Sequence, residues 1–188
     1  MSDFLDRVIQ KASWKKSVLA TILFAVFLIV INFSPIGVAG LLSITGGANI
    51  LDFEFGFTYE VAYYMLTALG EEGRAFYLTR ILPLDFPFPF AFMLFGSGNI
   101  ALLLKHIAPK HPYKYLILIP VLFMVFDWIE NIGIIIMLFN FPNLPEWAVS
   151  LASVSGMLKY ISSFVSIATI VILFIIFLYS KFIQNKHS

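Results

Sequence analysis

The chain has 188 residues, 60% of them hydrophobic and only 12% charged, with a formal net charge of +1. Such an apolar composition excludes an ordinary soluble domain, and the near-neutral charge gives no reason to expect nucleic acid as a partner. There is no cysteine, which excludes disulfides, thiolate metal sites and thiol redox chemistry.

A hydrocarbon core ~30 Å thick needs about 20 residues of helix, and four apolar runs qualify. The first covers residues 17–36, behind a charged tail carrying Arg7, Lys11, Lys15 and Lys16. Val38-Ala39-Gly40 is a faint cleavage site, but the apolar run from Val18 is long and the tail before it is extended, so an uncleaved anchor is expected. The connection that follows is Gly-rich over residues 37–47 and is expected to run along the membrane surface. Leu51-Asp-Phe-Glu-Phe is too short to assign.

Residues 58–80 read as an outer amphipathic segment. Thr58 is an N-cap, Glu60 favours the helix dipole, and Val61, Tyr64, Met65, Ala68 and Leu69 recur at helical spacing. Gly70 is the expected C-cap. Arg74 and Tyr77 then share one helical face. This part is either a solvated, salt-bridged surface helix or a lid that offers Arg74 to an anionic headgroup or carboxylate.

The second span covers residues 84–104. Pro83, Pro87 and Pro89 surround its start, so Asp85-Phe-Pro-Phe-Pro-Phe cannot be regular helix throughout. Gly96-Ser-Gly98 is a small-residue patch for helix contact. The third span covers residues 115–139, and Pro120 is expected to kink or loosen it. The fourth covers residues 148–182 and is longer than a crossing requires. Its Ser155, Lys159, Ser162 and Ser166 form a stripe that is either a polar lining or a packing seam.

Lys and Arg in the flanks set the orientation. The tail, the second connection (Lys105, Lys110, Lys114) and the C-terminus (Lys181, Lys186) together hold 9, against 2 (Arg74, Arg80) in the first connection and none in the third. Both termini are therefore expected in the cytoplasm, in a multi-pass protein of the cytoplasmic (inner) membrane. His106, His111 and His187 fall in connecting or terminal segments, so no intramembrane metal centre is expected, and no cofactor.

The chemistry concentrates in Asp127-Trp-Ile-Glu130-Asn131, inside the third span. Two carboxylates and an amide at i, i+3 and i+4 share one helix face. Each charge at that depth costs about 2.5–3.5 kcal/mol on insertion scales, so a partner, water or a function must offset it. Helical rise places Asp127, Glu130, Asp85 and Lys159 at ~18, ~22, ~28 and ~28 Å above the inner boundary. Asp85, Glu130 and Lys159 thus lie within two helical turns of one another. The expected polar centre comprises Asp127, Glu130, Asn131, Lys159 and Asp85, with Tyr160 beside it and Arg74 and Tyr77 above it. It is either a buried ion pair that fixes helix register or a binding or catalytic pocket.

Three polar motifs also occur in a familiar order: Leu69-Gly70-Glu-Glu-Gly73-Arg74-Ala-Phe-Tyr77, Leu84-Asp85-Phe86-Pro-Phe88-Pro89, and Asp127-Trp-Ile-Glu130-Asn131. In this the chain resembles a group of uncharacterised bacterial four-helix membrane proteins with the pattern L-G-x-x-G-R-x-x-Y, L-D-F-x-F-P-x-x-Y and D-x-x-E-N. The likeness runs from Leu51 to Lys159, with Phe92 where the pattern usually has Tyr. It implies location and a residue set but no reaction.

The expected fold is thus all-α: a single domain over residues 1–188, a four-transmembrane-helix bundle with an extracytoplasmic amphipathic helix between helices 1 and 2. The expected role is binding of a lipid or lipophilic molecule in an outward-facing polar pocket. Two alternatives are a lipid-modifying enzyme using Glu130 and Asp127 as acid and base, and a structural or assembly subunit with a membrane-protein partner or a second copy of itself.

Overall fold

The computed structural model describes residues 2–107 and 112–186, so Lys110, His111 and His187 lie outside the described residues. The chain is helical almost throughout, with no strand among the described residues. Four stretches are long and apolar enough to cross a membrane: Trp14–Thr45, Gly70–Ile107, Tyr113–Asn140 and Glu146–Ile183.

The charged tail is a helix of its own. In α1 (Ser2–Lys11), Leu5 and Ile9 are buried, with Ala12 just beyond its end, while Arg7 and Lys11 face outward. Lys105 Nζ fixes its C-terminal end by donating to the Gln10 and Ala12 carbonyls at 2.9 and 2.8 Å. These are carbonyls that a helix end leaves without partners. Ser13 then caps α2 (Trp14–Phe33) by accepting from the Lys16 N–H.

After α3 (Val38–Thr45) and a 3-10 turn at Leu51–Phe53, Thr58 caps α4 (Tyr59–Ala68) by accepting from the Val61 N–H. The Thr58 hydroxyl also holds the Glu60 carboxyl below its usual range. The buried face of α4 is Ala62 and Leu66, continued by Leu69. Val61 and Tyr64, expected inside, are 39% and 73% exposed. The helix packs on the long C-terminal helix, and Ala62 shares a buried cluster with Ala148, Val149 and Ala152 of that helix. At Gly70, φ is +64°, and this left-handed residue separates α4 from α5 (Gly70–Phe76).

A π-turn at Tyr77–Ile81 and the short α6 (Leu82–Asp85) lead into α7 (Phe88–Ile107). The second span is thus helical well before residue 84. Pro89 sits in the first turn of α7, where the missing N–H removes no helix bond, Pro83 follows directly on the π-turn, and Pro87 marks the break between α6 and α7. Trp128 Nε1 donates to the Phe86 carbonyl at that break, at 2.9 Å.

Pro120 does not kink the third span. Residues Pro112–Leu118 form a 3-10 segment, and α8 (Ile119–Asn140) starts only at Ile119, so Pro120 stands in its first turn. It packs instead into the space left by Gly96, where a Cβ would come within 2.6 Å of the proline ring.

α8 and α9 (Glu146–Lys186) form the most extensive helix pair. Gly133 permits it: a Cβ there would meet the Ala152 Cβ at 2.9 Å and the Ala148 carbonyl at 3.0 Å. The serine stripe is a packing seam. Ser155, Ser162 and Ser166 are buried and donate back to carbonyls of their own helix, at Leu151, Leu158 and Ser162. Half of the apolar window of the second stretch is buried, against 17% in the first and fourth, so α7 is the central helix and α2 and α9 present large apolar faces outward.

Candidate functional site

Four segments far apart in sequence deliver charged side chains to one buried centre. Lys159 of α9 pairs with Glu130 of α8, and its Nζ lies 3.6 Å from Asp127 Oδ1 and 3.9 Å from Asp52 Oδ1. Asn131 Nδ2 donates to Asp85 Oδ2 at 2.8 Å and to Asp127 Oδ2 at 3.1 Å, tying α6 to α8. Glu130 and Asn131 are wholly buried, and no charged member is more than 9% exposed.

Asp52 was not foreseen from the sequence. Its turn is held from two sides: the Tyr77 hydroxyl donates to its carboxylate, and the Tyr160 hydroxyl donates to its backbone carbonyl at 2.8 Å. The π-turn begins at Tyr77, whose side chain is fully buried. The loop that follows Asp52 is pressed onto α9. The Phe57 N–H donates to Ser153 Oγ at 2.8 Å, and at Gly56 φ is +78° with Met157 3.0 Å from where a Cβ would sit. The only clue in the sequence was an acid isolated between Leu51 and Phe53.

Arg74 does not join the centre. Its Nη1 donates to the Leu66 carbonyl at 2.8 Å, closing the C-terminal end of α4, and its guanidinium lies 4.0 Å over the Phe141 ring. The face it was expected to share with Tyr77 breaks where α5 gives way to the π-turn.

The centre holds four carboxylates (Asp52, Asp85, Asp127, Glu130) around one ammonium, Lys159. Neither Glu130 Oε1 nor Asn131 Oδ1 has a hydrogen-bond donor among the described residues. A buried acceptor left so costs about 1–3 kcal/mol. Gly156 makes room for the carboxylate, since a Cβ there would stand 2.6 Å from Glu130 Oε1.

Beside the centre is a cavity of about 270 Å³, lined in part by Asp52, Asp85, Asp127 and Lys159. Its walls are aromatic. Phe24, Phe92 and Phe123 form a packed series, with ring centroids 5.4 Å (Phe24–Phe92) and 4.1 Å (Phe92–Phe123) apart. Leu28 and Phe53, both more than 40% exposed, stand at its rim. Glu130 does not line the cavity; it lies behind, on Lys159. Comparison of the chain with protein-family models, with curated proteins and with solved structures gives no match, so the site is read from its own geometry.

Proposed function

We propose that this chain is a multi-pass protein of the cytoplasmic membrane that binds a lipophilic molecule in the aromatic cavity and reads its polar end with the acidic centre. In this reading both termini are cytoplasmic, following the 9-to-2 excess of Lys and Arg. The end of the bundle that holds the cavity then faces outward.

The observation that carries the reading is the joining of one apolar, aromatic hollow to four charged side chains at its base. Such convergence is the usual form of a small-molecule site. Its volume is just under the ~300 Å³ at which ligand pockets begin, so it suits one end of a lipophilic molecule, the remainder passing the exposed rim at Leu28 and Phe53.

Charge decides which end enters. Arg74 is engaged elsewhere and Lys159 is already surrounded by carboxylates, so an anionic headgroup is disfavoured. Surplus acceptors, with phenyl faces beside them, favour a donor: a protonated amine or a hydroxyl. In the enzymatic alternative the acid–base role would fall to Asp127, which lines the cavity, and not to Glu130.

Native mass spectrometry of gently extracted protein tests the proposal, with Asp127→Asn and Phe53→Ala alongside. A discrete bound molecule on the wild type, depleted in both variants, is the expected result. A bare wild-type mass, or the same lipids on all three, would overturn it.

A further inference from the structure

A second hollow, of about 700 Å³, lies at the other end of the molecule between α1, α2 and α7. Its walls are apolar: Leu19, Ala20 and Leu23 on α2, Met93 and Leu94 on α7, Val8 on α1. It exists because small side chains meet there. Ser17 Oγ donates to the Gly98 carbonyl at 3.2 Å, drawing α2 onto α7, while Ala12, Ala20 and Ala101 leave the space beside that contact unfilled. From Lys16 to Leu23 the groove descends ~10 Å along α2 by helical rise, so it runs from the membrane surface into the apolar layer.

Its mouth is basic. Arg7, Lys11 and Lys16 line it and no acidic residue does. Arg7 and Lys11 are four apart on one face of α1, and Lys16 Nζ donates to the Lys11 carbonyl at 3.0 Å, which brings the third cation to the same corner. None of the three is in an ion pair among the described residues. The wall they stand on is fixed by Lys105 at the end of α1 and by the Lys114–Asp6 pair at 2.7 Å.

We propose that this groove holds one acyl chain of an anionic phospholipid of the surrounding bilayer, with the phosphate on Arg7, Lys11 and Lys16. Charge complementarity selects the occupant: an apolar slot ending in three cations matches an acyl chain that ends in a negative headgroup. Basic residues at a membrane surface attract anionic lipid, and their apolar stems lie along the hydrocarbon boundary. The inference is independent of the ligand proposed for the acidic cavity.

The test uses the full chain, delipidated in mild detergent and titrated with an equimolar mixture of dioleoyl-phosphatidylglycerol and dioleoyl-phosphatidylcholine, adducts being counted by native mass spectrometry. Two kinds of variant separate charge from shape. Arg7→Gln/Lys11→Gln/Lys16→Gln removes the cations and keeps the slot. Ala20→Phe fills the slot and keeps the cations, and Met93→Trp fills it from the opposite wall should Ala20→Phe fail to fold. The expected result is one preferentially retained phosphatidylglycerol on the wild type, with retention falling about tenfold or more in both kinds of variant. Equal retention of both lipids by the wild type would overturn the proposal. So would a preference that survives slot filling, which would mean headgroup adsorption on a basic surface without an acyl site.

Discussion

The two hollows are built on opposite principles. The acidic centre draws on positions 52, 85, 127, 130 and 159, all buried, and each charge there has a partner from another part of the chain. The basic groove draws its charges from one short stretch, residues 7–16, and all three are exposed and outside any ion pair among the described residues. Charges taken out of water must be held by fixed partners, because each carries a desolvation cost of several kcal/mol. Charges left at a surface need no such framework and remain free to meet a mobile ligand. Stability should therefore respond to the first region and lipid selectivity to the second.

Lys159→Met is the severest way to break this contrast. It leaves Asp52, Asp127 and Glu130 facing one another without a cation, and a loss of about 3–5 kcal/mol is expected, read as a collapse of thermal stability in detergent. Glu130→Gln should cost clearly less, about 1–3 kcal/mol, because Lys159 keeps Asp127 at 3.6 Å and Asp52 at 3.9 Å. Equal losses for the two would mean that Glu130 alone neutralises the lysine.

Gly156→Ala comes next. It must displace the Glu130 carboxylate or separate α8 from α9, and about 1–3 kcal/mol of overpacking is expected in the same melting assay. Tyr77→Phe removes the donor to Asp52 and should cost about 1–3 kcal/mol, sharpening the claim that the 51–53 turn belongs to the centre. The triple Arg7, Lys11 and Lys16 neutralisation should be nearly silent in melting, within ~0.5 kcal/mol for each exposed site.

What the sequence made legible follows the same division. The four membrane-length helices were readable because uninterrupted apolar runs leave few other structures open to them. The Asp127-Trp-Ile-Glu130-Asn131 face was readable because carboxylates inside such a run stand out, and rise per residue alone put Asp85 and Lys159 at a similar height. Asp52 was not, because a two-residue apolar flank in a loop has no periodicity to reveal burial. Arg74 was misplaced because a local pattern cannot show that the C-terminal carbonyls of α4 lie within its reach. The N-terminal tail read as merely charged, although Leu5, Val8, Ile9 and Ala12 follow helical spacing. Its docking depends on Lys105, about ninety positions away.

The most direct test of the central claim is the charge preference of the acidic cavity. Thermal stabilisation of the wild type and of Asp127→Asn should be measured with dodecylammonium, dodecanol and dodecanoate at equal concentration. Stabilisation by the ammonium above the alcohol, none by the carboxylate, and its loss in Asp127→Asn is the predicted outcome. Stabilisation by dodecanoate, or an ammonium effect undiminished in the variant, would contradict the account.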